Sequence, residues 1–76
     1  MDLRQTFATN LRRLRHKAEL SQEELADRAD INRTYISKLE TGATYAGLEI
    51  IGKLAEVLGA EPADMLTPAR GQRRKR

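Results

Sequence analysis

Arg33, Thr34, Ser37, Lys38 and Thr41 fall where a single helical face would carry them together. Arg33, Ser37 and Thr41 follow i, i+4, i+8, and Thr34 and Lys38 follow i, i+4. That face holds two cations, three hydroxyls and no acid. Its chemistry suits the edges of DNA bases. A guanidinium can fork onto guanine O6 and N7. An ammonium can reach the same acceptors or a phosphate, and threonine offers a hydroxyl beside a methyl that can meet thymine. An α-helix fits the major groove, and residues near its N-terminus reach the base edges first. Gln22, at the start of the preceding segment, can donate to a phosphate beside free helix N–H groups.

Rival chemistries are poorly supplied. There is no cysteine, which excludes disulfides, thiolate metal sites and a Cys nucleophile. The lone His16 has no second histidine and no acid at metal spacing, and reads as a solvated residue. Glu23, Glu24 and Asp27 resemble paired carboxylates, but a helix start accounts for Glu23 and Glu24. No phosphate-binding glycine loop or nucleophile triad is present. The expectation is no enzyme, no metal, no cofactor and no small-molecule ligand.

The elements that must position this face are all helical. Phe7, Leu11, Leu14 and Ala18 recur on one face of a first helix over 3–17, with Arg12, Arg13, His16 and Lys17 opposite. Ser21-Gln-Glu-Glu24 is a capping box opening a helix over 21–29, with Leu25, Ala26 and Ala29 inward. Asn32 caps the next helix over 32–41, with Ile36 and Leu39 inward, and Gly42 ends it. The short link between these two helices forces a sharp crossing, the geometry of a helix-turn-helix, with Ile31 plugging the turn. A fourth helix spans 48–58 up to Gly59, and Pro62 begins a short fifth over 62–66. The expected fold is all-α, a compact five-helix bundle containing a helix-turn-helix in a domain over 1–67, followed by a basic disordered tail over 68–76.

The 76 residues carry a net charge of +3, which belongs to the tail. Residues 70–76 hold five cations, and without them the chain is at −2. A high isoelectric point is therefore weak evidence for nucleic-acid binding, and the local face at 33–41 is the better evidence. No stretch approaches the ~20 apolar residues of a membrane span. The opening Met1-Asp2-Leu3-Arg4 lacks the apolar core of a signal peptide. The expected location is cytoplasmic.

Ser21-Gln22-Glu23-Glu24-Leu25-Ala26 followed by Ile31-Asn32-Arg33-Thr34-Tyr35-Ile36-Ser37-Lys38-Leu39-Glu40-Thr41-Gly42 resembles the phage-repressor/Cro-like (XRE-type) helix-turn-helix family. Leu11-Arg12-Arg13-Leu14-Arg15 and Leu54-Ala55-Glu56-Val57-Leu58-Gly59 fit the same pattern, so the resemblance covers roughly residues 3–66. It implies base contacts by Arg33, Thr34 and Lys38. It implies backbone contacts by Gln22, Ser37, Thr41 and the loop at Ala43 and Thr44, to which Arg13 is added from the basic face of the first helix. It also implies a salt bridge between Arg15 and Glu40, and a place at the nucleoid in a bacterial or phage setting. Two departures stand out. Asp30 occupies a turn position where glycine is common, and the loop Ala43-Thr44-Tyr45-Ala46-Gly47 lacks the usual cation.

The fourth helix carries more apolar surface than one stripe needs. Leu48, Ile51, Leu54, Ala55 and Leu58 make the stripe, and Ile50 and Val57 widen it. Either the fifth helix covers the excess, or Ile50, Val57, Pro62 and Met65 form a two-fold dimer interface. The expectation is a sequence-specific DNA-binding transcriptional regulator, a homodimer on a palindromic operator with helix 32–41 in the major groove. It resembles a compact prophage-type repressor or the controller protein of a restriction–modification system. The alternative is an antitoxin or adaptor-type interaction module on the same fold.

Overall fold

The computed structural model describes residues 2–68. The expected tail over 68–76 lies, apart from Pro68, outside them. Five helices follow in order: α1 (Leu3–Lys17), α2 (Gln22–Ala29), α3 (Arg33–Thr41), α4 (Leu48–Leu58) and α5 (Pro62–Leu66). There is no strand among the described residues. The expected all-α architecture is observed, and boundaries differ only where Ser21 and Asn32 act as caps rather than first turns.

Each start has a local cause. Asp2 accepts from the Arg4 amide at 3.0 Å. Ser21 Oγ accepts from the Glu24 amide at 2.9 Å, while Glu24 accepts from the Ser21 amide at 2.8 Å. Asn32 Oδ1 accepts from the Thr34 amide at 2.7 Å. These bonds satisfy N–H groups that have no intrahelical acceptor.

The ends of α1 to α4 share one device. A residue in the left-handed region follows each helix, and the next amide donates five residues back. The pairs are Leu20 to Arg15 at 3.1 Å, Ile31 to Ala26 at 2.9 Å, Ala43 to Lys38 at 2.9 Å and Ala60 to Ala55 at 2.9 Å. Glycine supplies the left-handed residue at 42 and 59, but Glu19 (φ 60) and Asp30 (φ 57) do so elsewhere. Asp30 thus makes the turn that glycine commonly makes.

α1 packs on α3 and α5, and α2 packs on α3 and α4. Phe7, Leu11, Leu14, Leu20, Leu25, Ile36, Leu39, Ile51, Leu54 and Met65 form the core. Leu20 and Leu25 flank the α2 capping box from either side, a hydrophobic staple that fixes the chain's entry into α2.

Three assignments need correction. Ala18 is exposed, because α1 ends at Lys17 and Ala18 is its cap. Leu48 is 86% exposed, because it opens α4 at the edge of the core, one turn before Ile51. Met65 is 0% exposed, so it belongs to the core and not to a dimer surface. Asn10 explains how Met65 is held there. This buried amide donates to the carbonyls of Met65 at 2.9 Å and Thr67 at 2.8 Å, pinning the end of α5 to α1.

Glu19→Gly is expected to raise the unfolding free energy by about 0.5–1 kcal/mol, the left-handed penalty less the extra chain entropy of glycine. Asp30→Val is expected to lower it by about 1–2 kcal/mol, because a β-branched side chain is an outlier at positive φ. Urea denaturation measures both. An Asp30→Val variant as stable as the parent would contradict the left-handed turn.

Candidate nucleic-acid interface

The α2–α3 pair is rigid because its turn is closed at both ends. The Ile31 amide donates to Ala26, Ile31 packs against the core, and Asn32 caps α3. α3 then buries Ile36, Leu39 and Glu40. The 3.6-residue period leaves Arg33, Thr34 and Lys38 exposed, with Ser37 half-buried beside them. Thr41, also exposed, donates its hydroxyl to the Lys38 carbonyl at 3.1 Å. The two cations and their hydroxyl neighbours therefore share one outward face, and the one acid of α3 is turned into the protein.

That acid is Glu40, 3% exposed. Arg15 of α1 meets it as a fork, Nε to Oε2 at 2.6 Å and Nη2 to Oε1 at 3.0 Å. A third Arg15 bond, Nη1 to the Leu20 carbonyl at 2.8 Å, ties in the α1–α2 turn. Arg12 Nη1 donates to the Glu40 backbone carbonyl, capping an α3 carbonyl that lacks an intrahelical donor. Gln22 Nε2 completes the cluster, donating to Glu40 Oε1 at 3.1 Å. Burial works to raise the Glu40 carboxyl, but the Arg15 and Gln22 hydrogen bonds outweigh it and hold the group below the usual carboxylate range. Arg15 is pushed up by the same bond, against its own desolvation.

The remaining residues named from sequence are placed as follows. Gln22 is half-buried at the first turn of α2 and reaches α3 through Glu40. Thr44 is half-buried and lines a groove with Leu3, Arg4, Tyr45 and Ala46. Arg13 is not brought to the α3 face. Its Nη2 donates to Asn10 Oδ1 at 3.2 Å, on the side of α1 that holds α5, and Arg12 is the residue that reaches α3. Ile50 and Val57 are half-buried against the core, and Pro62 is exposed. A groove lined by Arg28, Ala29, Asp30, Lys53, Glu56 and Val57 sets Val57 opposite the end of α2.

Two supports of the interface escape sequence reasoning. Tyr35 donates its hydroxyl to the Tyr45 carbonyl at 3.0 Å, tying α3 to the following loop. Arg4 stacks over the Tyr45 ring, 4.8 Å from its centroid. The one aromatic residue in a loop of small residues, Ala43-Thr44-Tyr45-Ala46-Gly47, was the available signal. Among the described residues no group of three or more acids and histidines could hold a metal ion. None of their helices is long and apolar enough to cross a membrane.

A helix-turn-helix domain family matches residues 6–67. The chain belongs to this family. Proteins similar to this chain include control protein C.BamHI of Bacillus amyloliquefaciens, 39% identical over 66 residues, 86% of this chain and 82% of that protein. Among solved structures, the hypothetical transcription factor NHTF from Neisseria superposes with a TM-score of 0.88 at 37% identity, over 93% of this chain and 82% of that one. The restriction-modification controller protein C.AhdI from Aeromonas hydrophila gives 0.79 at 37% identity, over 82% of this chain and 94% of that one. The helix-turn-helix of this chain is α2 and α3, and its acid-free outer face is α3.

Arg15→Met is expected to cost about 3–5 kcal/mol in urea denaturation, since it strands a buried carboxylate. Adding Glu40→Leu should recover most of that loss. Because the folded Glu40 carboxyl lies below its unfolded value of about 4.3, the unfolded chain binds more protons between the two. Its stabilisation is therefore complete above that pH and is lost as pH falls through the folded value. Acid titration followed by circular dichroism should show a shallower fall for Glu40→Gln than for the parent.

Proposed function

We propose that this protein is a sequence-specific DNA-binding transcriptional regulator that acts as a homodimer on a palindromic operator. The observation that carries the reading is the outer face of α3, with two exposed cations and no acid, on a helix pinned to α1 by a buried ion pair. Arg33, Thr34 and Lys38 read base edges in the major groove. Gln22, Ser37, Thr41 and Thr44 meet the phosphate backbone and set the register. Arg13, directed towards Asn10, is left out of the interface.

Two relatives named as control or controller proteins support a regulatory role. The dimer would set two α3 helices ~34 Å apart, one helical turn of DNA. Its contact is assigned to Ile50, Val57 and Pro62 without Met65. The work is binding by shape, charge and hydrogen bonding, with no catalysis, in the cytoplasm at the nucleoid. The interaction-module reading draws its support from Leu48, whose 86% exposure suits a protein partner.

A selection from randomised duplex DNA at low and moderate salt supplies the operator and its symmetry. Arg33→Ala with Lys38→Ala should then weaken operator binding at least about thirtyfold, from two lost base contacts of about 1–3 kcal/mol each. The thermal melt should stay unchanged, because both side chains are exposed. Retained affinity in the double variant would sink the proposal and favour the interaction module.

A further inference from the structure

Gln22 stands apart from the other polar residues of the interface because its amide is already held by the protein. Its acceptor, Glu40 Oε1, is immobile: the carboxylate is buried, forked by Arg15, and its own backbone carbonyl is taken by Arg12. A carboxylate can only accept, so the amide nitrogen must face Glu40 and the amide oxygen must face away. The second N–H of Nε2 has no acceptor among the described residues and stays available at the first turn of α2. A free glutamine must give up three side-chain rotors on binding, whereas one held in advance gives up few.

We propose that Glu40, through Gln22, is a positioning residue for nucleic-acid binding: it holds the Gln22 amide in the one orientation that offers an N–H to a backbone phosphate. This rests on the DNA-binding reading above. The relay runs from α1 to α3 to α2, so the ion pair that joins the helices also aims a side chain to which α1 makes no hydrogen bond of its own. Lys38 and Arg33 are not served in this way, and their contacts are independent of Glu40.

The test is a double-mutant cycle on operator affinity in the full chain, with Gln22→Ala, Glu40→Gln and the pair. An amide at 40 has one acceptor where the carboxylate has two, so it cannot serve both Arg15 and Gln22 as Glu40 does. Glu40→Gln should weaken operator binding about three- to tenfold when Gln22 is present, the worth of one oriented hydrogen bond. It should have less than about a twofold effect in the Gln22→Ala background. Equal losses in both backgrounds would mean a purely structural role and overturn the proposal.

A measurement on the parent chain covers the case in which Glu40→Gln does not fold. The Gln22 side-chain amide should show an NMR order parameter near the ~0.85 of rigid backbone, and a value below about 0.6 overturns the proposal. On adding operator, one Nε2 proton should shift while the one on Glu40 holds its position. If the parent selects no operator, the DNA-binding reading fails and the proposal with it. An operator bound with an additive cycle overturns the proposal alone.

Discussion

The arrangement depends on one buried ion pair. Taking Glu40 and Arg15 out of water is costly, and a pair so placed persists only when its geometry is good and its remaining hydrogen-bonding groups are satisfied. Here they are. Arg15 makes three bonds to two different segments, and Glu40 accepts from two side chains at its carboxylate and from a third at its carbonyl. The apolar core gives α1 and α3 their attraction, but apolar contacts slide. The fork sets the register of α3 against α1, and the face of α3 turned outwards follows from that register.

The same economy governs the turns. Four helices end in one hydrogen-bonding pattern, and two of the four left-handed positions are held by acids rather than glycine. Asp30 accepts backbone strain at the turn between α2 and α3, where a short link and a capping Asn32 leave little alternative. The result is a helix pair whose mutual angle is set by backbone bonds as well as by side-chain packing.

Much of this was legible in the sequence, for identifiable reasons. The capping box at Ser21 and Glu24, the cap at Asn32 and the glycines after α3 and α4 act locally, so a window of a few residues contains their cause. The outer face of α3 follows from helical period alone. Leu48 misled because period says which face a residue occupies, not whether the neighbouring helix extends far enough to cover it. Met65 misled for the converse reason, since a five-residue helix shows too little pattern to separate its faces. Asn10 had a visible signal, a polar residue within the apolar stripe between Phe7 and Leu14, but its partners lie at the far end of the chain. The Gln22–Glu40 bond left no local trace, because it depends on the crossing angle of two helices.

The long reach of Asn10 bears on how the molecule assembles and comes apart. Its two bonds to Met65 and Thr67 span 55 and 57 residues, among the most distant pairings in the chain. Contacts of such separation close large loops and form after the local helical hairpins. The α1–α5 seam is therefore expected to close after the local helical hairpins. In hydrogen exchange α5 would form its own cooperative unit, opening without disturbing α2 and α3. One amide side chain serves as the clasp that closes the fold's last helix onto its first.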